Sequence, residues 1–312
     1  MTKRLQNRIS ESRMALPVMA VYGSMVWMAG GLVTGHWWIQ FALFALSTYL
    51  MVELNNSNAL IRIYSRMVSC SYIAITTAAC FMFGSQSGAF TQLCFVVACL
   101  CLFKTYQDQK ATGMAFMASL SLSLVSFTSV HVLYFFPVMW GIMAAFLQSL
   151  SLRTWGASVL GGLTPYWMLM PYLVYTGSFD MVAGNLGQLL AFAPIGDFSA
   201  INRQQWVTLA FVCALALTGT VHYLRTSYND KIRIRQLYEC FITVDFFAFL
   251  LFALQPQHYE LAMHLLIINT SPLIAHFIAL THTRVTNVSF IAILTATLAL
   301  TAYNLWISSL AF

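Results

Sequence analysis

Apolar stretches recur along the whole chain, each close to the ~20 helical residues that a ~30 Å hydrocarbon core requires. Short polar gaps separate them. The pattern predicts eleven spans, at 15–34, 37–54, 66–84, 88–104, 112–129, 131–149, 155–176, 206–224, 237–254, 259–281 and 288–310. The expected fold is therefore an all-α polytopic transmembrane helix bundle, a single transmembrane domain over 15–310 behind a basic leader at 1–14. The hairpins near 85–87 and 130 are very tight. The one long gap, 178–205, has an apolar middle too short to span, and it is expected to form an interfacial or re-entrant segment. The run at 15–33 exceeds the ~7–15 residues of a signal-peptide core and ends in no small-x-small site, so it reads as an uncleaved first span. Leu5 and Ile9, set among Lys3, Arg4, Arg8 and Arg13, suit a short helix on an anionic inner leaflet.

Composition agrees with a lipid solvent. The chain is 60% hydrophobic and 8% charged, against ~25% charged in an ordinary soluble domain. Nine acidic residues could not cover the surface of a 312-residue soluble protein. The formal charge of +6 does not signal nucleic acid, because the cations sit beside apolar spans and no recognition motif accompanies them. They fall at alternate gaps: the leader, Arg62 and Arg66, Lys104 and Lys110, Arg153, Arg225 with Lys231, Arg233 and Arg235, and Arg284. Of the fifteen, only Arg203 falls at the other set of gaps. Positive residues collect on the cytoplasmic side, so the N-terminus is expected inside and the C-terminus outside. Trp37, Trp38, Trp206 and Trp306 near the outer edge and Trp155 near the inner edge fit interfacial belts. Trp27, Trp140 and Trp167 fall mid-span and read as packing residues. The seven cysteines form no CxxC pair and read as small apolar filler.

Four groups of residues carry potential chemistry. In the first, Glu53-Leu-Asn-Asn-Ser-Asn58 leads to Arg62 and Arg66. Ser57 or Asn58 is expected to cap the next helix, and the two arginines, four apart, to share its face with Glu53 as a partner. In the second, Asp245 lies about eight residues, or ~12 Å, inside the ninth span. A carboxylate there is a functional candidate by default. Asn269 and His276 share one face of the tenth span, Glu260 and His264 another. The expected contact is Asp245 with His276 or with Asn269, serving proton transfer or polar-substrate binding. In the third, Asp180, Asp197 and Arg203 mark a candidate outer site for a sugar, a phosphate or a metal ion, though no metal-ligand spacing supports the last. In the fourth, the alternation in Lys231-Ile-Arg233-Ile-Arg235 suggests an extended or interfacial stretch with three cations on one side. Arg62, Arg66, Lys231, Arg233 and Arg235 are the headgroup candidates. Prolines 137, 165, 171 and 272 permit kinks inside spans.

The turn at 54–66, the run Val-Leu-Tyr-Phe-Phe-Pro-Val-Met-Trp at 132–140 and the stretch at 151–167 ending Leu-Thr-Pro-Tyr-Trp resemble an uncharacterised family of multi-pass inner-membrane proteins of Bacteroidota. The resemblance spans most of the chain. It implies an inner-membrane address in a Gram-negative cell and supplies no catalytic residue.

The leading expectation is an integral membrane protein that binds or moves a lipid-like or amphiphilic molecule, with membrane lipids and other membrane proteins as partners and no cofactor, metal or nucleic acid. An accessory subunit of an envelope complex is one alternative. A polyprenyl-phosphate-dependent glycosyltransferase is another, but similarity to that class calls for an acid in the first outer loop. Here that loop reads Gly35-His36-Trp37-Trp38. No catalytic signature rises above background.

Overall fold

The computed structural model describes residues 4–192, 194, 196–199 and 201–310. The leader cation Lys3 lies outside the described residues. The described chain is helical, with no strand among the described residues. Thirteen α-helices follow one another: α1 (Leu5–Ser10), α2 (Ala15–Ala29), α3 (Trp38–Asn58), α4 (Met67–Ala78), α5 (Gln86–Phe103), α6 (Thr112–Val125), α7 (Phe135–Ala145), α8 (Leu152–Thr176), α9 (Phe179–Gly187), α10 (Arg203–Thr226), α11 (Ile232–Leu254), α12 (Tyr259–Leu280) and α13 (Arg284–Leu310).

Each expected span coincides with a helix, but the helices differ in reach. Five stretches are long and apolar enough to cross a membrane: Gln86–Phe103, Arg203–Asn229, Ile232–Leu254, Pro256–Leu280 and Arg284–Ile307. These mark a helical membrane protein. Four more, at Ala15–Ala29, Met67–Ala78, Thr112–Val125 and Val130–Ala145, are apolar but shorter. α3 and α8 have the length, at 21 and 25 residues. Their polarity sets them apart: α3 ends in Glu53, Asn55, Asn56, Ser57 and Asn58, and α8 carries prolines 165 and 171.

Local chemistry sets the boundaries. Ser85 caps α5 by accepting from the Gly88 amide. Ser151 and Thr154 cap α8 reciprocally, and Gly177 ends it in the left-handed conformation at φ 66°. Ala59, at φ 49°, ends α3 in the same way, and 59–66 is not helical. Neither Ser57 nor Asn58 therefore caps the next helix. Both lie in the last turn of α3, and Ser65 Oγ accepts from the Met67 amide instead.

α12 is the centre of the bundle. It is buried along its length and packs against α4, α5, α10 and α11. A helix apolar on every side finds no stable place on a wet surface. Its backbone approaches α10 closely: a Cβ on Gly219 would lie 2.7 Å from the Leu273 carbonyl carbon. Trp27 stacks on Phe83 at 3.9 Å and packs against Phe41 and Phe44, as its mid-span position suggested. Trp140 hydrogen-bonds Ser158. Trp167 is not a packing residue within the chain, being 74% exposed on α8.

The connections fall into two sets. At the leader end, α1 meets the turn after α12, residues 58 and 62 meet 229 and 233, Arg233 lies over Tyr106, and Ser151 bonds Gln109. At the far end, Gln40 bonds Gly84, Ser85 bonds Glu260, Tyr134 bonds Leu189, and Tyr259 bonds Gln205.

Candidate functional site

Asp245 is buried on α11, and the residues expected to partner it do not. Thr270 Oγ1 donates to its Oδ2 at 3.2 Å, and Oδ1 has no partner. The register explains the difference. α11 begins at Ile232, five residues earlier than expected, so Asp245 lies deeper. Counted from the turn at 255–258, antiparallel α12 presents position 270 at the level of 245. At 1.5 Å per residue, His276 is about 9 Å nearer the leader end. Asn269 instead donates to its own helix at Leu265 O, and it lines a narrow apolar cavity with Cys240, Phe241 and Val244.

His276 belongs to a second site, at the leader end. Its Nε2 lies 3.0 Å from Asp230 Oδ2, with both side chains almost fully enclosed. An ionised carboxylate only accepts, so Nε2 carries the proton and Nδ1, also buried, is left without a partner. Tyr238, Tyr223 and His222 wall the ring. Arg62 approaches the same carboxylate at 3.9 Å and donates to Asn229 O at 3.2 Å. Glu53, its expected partner, is exposed and makes no ion pair among the described residues. Arg66 turns away to Asn56 and to the face of Tyr64. The two arginines do not share a helical face, because 59–66 is not helical.

Lys231, Arg233 and Arg235 are not an extended stretch either. Lys231 is the N-cap and the other two lie in the first turns of α11, so they fan outward. Arg233 reaches Asn58 Oδ1 at 3.1 Å, and the Arg235 carbonyl accepts from Tyr223. Cations at a helix N-terminus oppose its dipole, and the neighbouring Asp230 offsets them.

No hydrogen bond or ion pair joins Asp180, Asp197 and Arg203 among the described residues. Asp180 is exposed in the first turn of α9, and Arg203 is exposed at the start of α10. Asp197 accepts from the Ser199 amide at 3.1 Å. Hydrogen bonds from Ser199 side chain and backbone hold that carboxyl below the usual range. α9 lies over the ends of α6 and α7: Asn185 bonds Ser126 O, and His131 and Tyr134 reach the carbonyls of Gln188 and Leu189. No group of three metal-ligating side chains occurs among the described residues.

Two features escaped the sequence reading. One is a buried polar chain. Tyr72 Oη donates to Gln92 Oε1 at 2.7 Å, and Gln92 Nε2 lies 2.8 Å from His264 Nδ1. The amide must therefore donate to Nδ1, which places the imidazole proton on Nε2. That atom faces Glu260 at 3.7 Å, an ion-pair distance longer than a hydrogen bond, and Glu260 in turn accepts from Ser85. Gly88 makes this approach possible, since a Cβ there would stand 2.0 Å from His264 Nε2. Gln92, an amide inside an apolar run, was the available signal.

The other feature is a cleft of about 570 Å³ beneath the leader, bounded by α1, α2, α4, α10, α12 and α13. Met19, Ile75, Ile274, Ile278 and Phe290 give it an apolar wall, and Arg8 and Ser12 stand at the α1 end. α2 and α13 both pack on α4. Beyond the cleft they meet where Tyr22 Oη donates to Thr301 Oγ1 at 3.0 Å. Its signal was spread over six helices, and no local motif carries it. Asp245 does not line it.

Compared with protein-family models, curated proteins and solved structures, the chain matches none.

Proposed function

We propose that this chain is a multi-pass protein of a bacterial cytoplasmic membrane that binds a lipid-like amphiphile and does no covalent chemistry on it. The observation that carries the reading is the cleft between α2 and α13. Its volume lies in the ~300–1,000 Å³ range of ligand sites. Its wall is apolar, and one of its sides is formed by residues that face outward, Val18 at 61% and Leu294 at 40% exposure. A chain can enter such a cleft sideways from lipid.

In this reading all eleven helical segments between α2 and α13, leaving out α9, cross or embed in the bilayer, with the N-terminus inside and the C-terminus outside. The two sets of connections support it, because the set that carries the clustered cations contacts itself and so does the other. α9 then lies in the outer interface. The address rests on the resemblance noted above and on the charge sorting.

An accessory role has one specific observation in its favour. The second half of α8 exposes Trp167, Met168, Tyr172 and Tyr175, a face that a partner helix would cover as well as lipid would. The glycosyltransferase reading draws no support from the geometry, since no hydrogen bond or ion pair joins Asp180, Asp197 and Arg203 among the described residues.

The test is ligand-induced stabilisation. A ligand that binds only the folded state stabilises it by RT ln(1 + [L]/Kd). Purified full-length protein should gain thermal stability with added single-chain phospholipid, and Val18→Trp, which fills the cleft from its exposed side, should abolish the gain. Asp245→Asn should retain it. Equal gains in wild type and Val18→Trp would refute the cleft as the site.

A further inference from the structure

Resting on that reading, we propose that the α1 end of the cleft is a headgroup site, and that Arg8 selects a glycerophospholipid with an anionic phosphate headgroup. The leader is fixed in place. Gln6 Nε2 donates to Ile278 O and to Thr281 Oγ1, Asn7 Nδ2 donates to Thr281 O, and the Gln6 amide donates to Asn287 Oδ1. Arg4 reaches the His282 carbonyl. Gln6 and Asn7 are buried, although they lie within a helix of only six residues. A leader that served only to set orientation would not need its amides threaded into the turn between α12 and α13.

The clamp aims one cation at the cleft. Arg8 is exposed and is the one charged side chain of the lining. Its guanidinium has no acidic partner among the described residues, while Glu11, the leader's acid, is itself engaged. Ser12 stands beside it, its hydroxyl accepting from the Met14 amide and keeping a proton to donate. A guanidinium and a hydroxyl at the rim of an apolar slot match a phosphate ester carrying a hydrocarbon tail.

The depth of the slot fits one leaflet. Its wall on α13 runs from Phe290 to Thr297, the latter thirteen residues from the start of that helix at Arg284. That places Thr297 about 20 Å along α13, against ~15 Å for half of a hydrocarbon core. The Tyr22–Thr301 hydrogen bond lies one turn further on. An acyl chain entering beside Arg8 thus ends near the bilayer midplane, with its phosphate at the cytoplasmic surface.

The experiment measures binding of three probes to purified full-length protein: lysophosphatidylglycerol, lysophosphatidylcholine of the same chain length, and glycerol 3-phosphate. A single cation near the headgroup corresponds to about a fivefold preference for the anionic lipid. Arg8→Gln should erase that preference, weakening lysophosphatidylglycerol about fivefold more than lysophosphatidylcholine. Arg13→Gln, a leader cation outside the lining, should leave the preference intact. Val18→Trp should weaken both lipids. A preference that survives Arg8→Gln, or falls equally with Arg13→Gln, overturns the headgroup site and leaves chain binding standing. Glycerol 3-phosphate binding as tightly as the anionic lipid also overturns it, since the site would then read a free phosphate ester. Failure of either lipid to bind wild type, or no effect of Val18→Trp on either, overturns the amphiphile reading itself.

Discussion

Asp245 shows what a single residue discloses and what it conceals. An acid in an apolar run is visible in the sequence, and the structure buries it. Its partner was not visible, because partner choice depends on the register that the turn at 255–258 imposes on α11 and α12. Thr270, an unremarkable residue of a buried helix, holds the place. Removing its hydroxyl leaves the Asp245 carboxyl without a donor, and an unsatisfied buried polar group costs ~1–3 kcal/mol. Thr270→Val should therefore lower the thermal midpoint clearly, while Asp245→Asn, which keeps an oxygen for Thr270 to donate to, should lower it less. Thermal unfolding of both variants in the same detergent decides this; a larger loss in Asp245→Asn would show that the negative charge itself matters. Asp230 is the converse case. It stands in a short polar turn before three cations and was not singled out, yet it is enclosed with His276.

Helices were more legible than turns. The apolar runs located each helix of the bundle because lipid-facing and buried faces are both apolar, which makes the run continuous. Short polar stretches carry too few residues for a period to show. Ile-Arg-Ile-Arg alternates like a strand but forms the first turns of α11, and the stretch holding Arg62 and Arg66 leaves the helix once Ala59 turns left-handed. Length sorted less well than position. α4, α6 and α7 are helical over 12, 14 and 11 residues, with 3-10 turns or loops completing their runs. Packing between helices rests on small residues at specific points. At Gly219 the nearest atoms are the backbone of Leu273 and Ile274, at 2.7 and 3.0 Å, which no rotamer change can move. Gly219→Ala should force α10 and α12 apart and cost ~1–3 kcal/mol. Gly156, with nothing within 4 Å of its added Cβ, is the control: its alanine variant should match wild type in thermal unfolding, and equal losses at both positions would contradict the close approach.

At the scale of the whole molecule, the cation map predicted alternation of the connections, and the contacts between connections follow the same alternation. The cleft could not be read that way. It exists because α2 and α13 both lean on α4 while leaving a gap toward α1, and no pattern within one helix encodes a gap between two. The side chains of the leader, expected as a short helix on the membrane surface, also lock into the turn between α12 and α13 and roof that gap. In the proposed reading, function resides in the arrangement of helices around a space, and the residues that first drew attention, Asp245, Asp180 and Asp197, do not line it. Native mass spectrometry of the full-length protein measures occupancy of that space directly. Wild type should carry one bound phospholipid that Val18→Trp lacks, with Asp245→Asn indistinguishable from wild type. A phospholipid retained by Val18→Trp as fully as by wild type would contradict binding in the cleft.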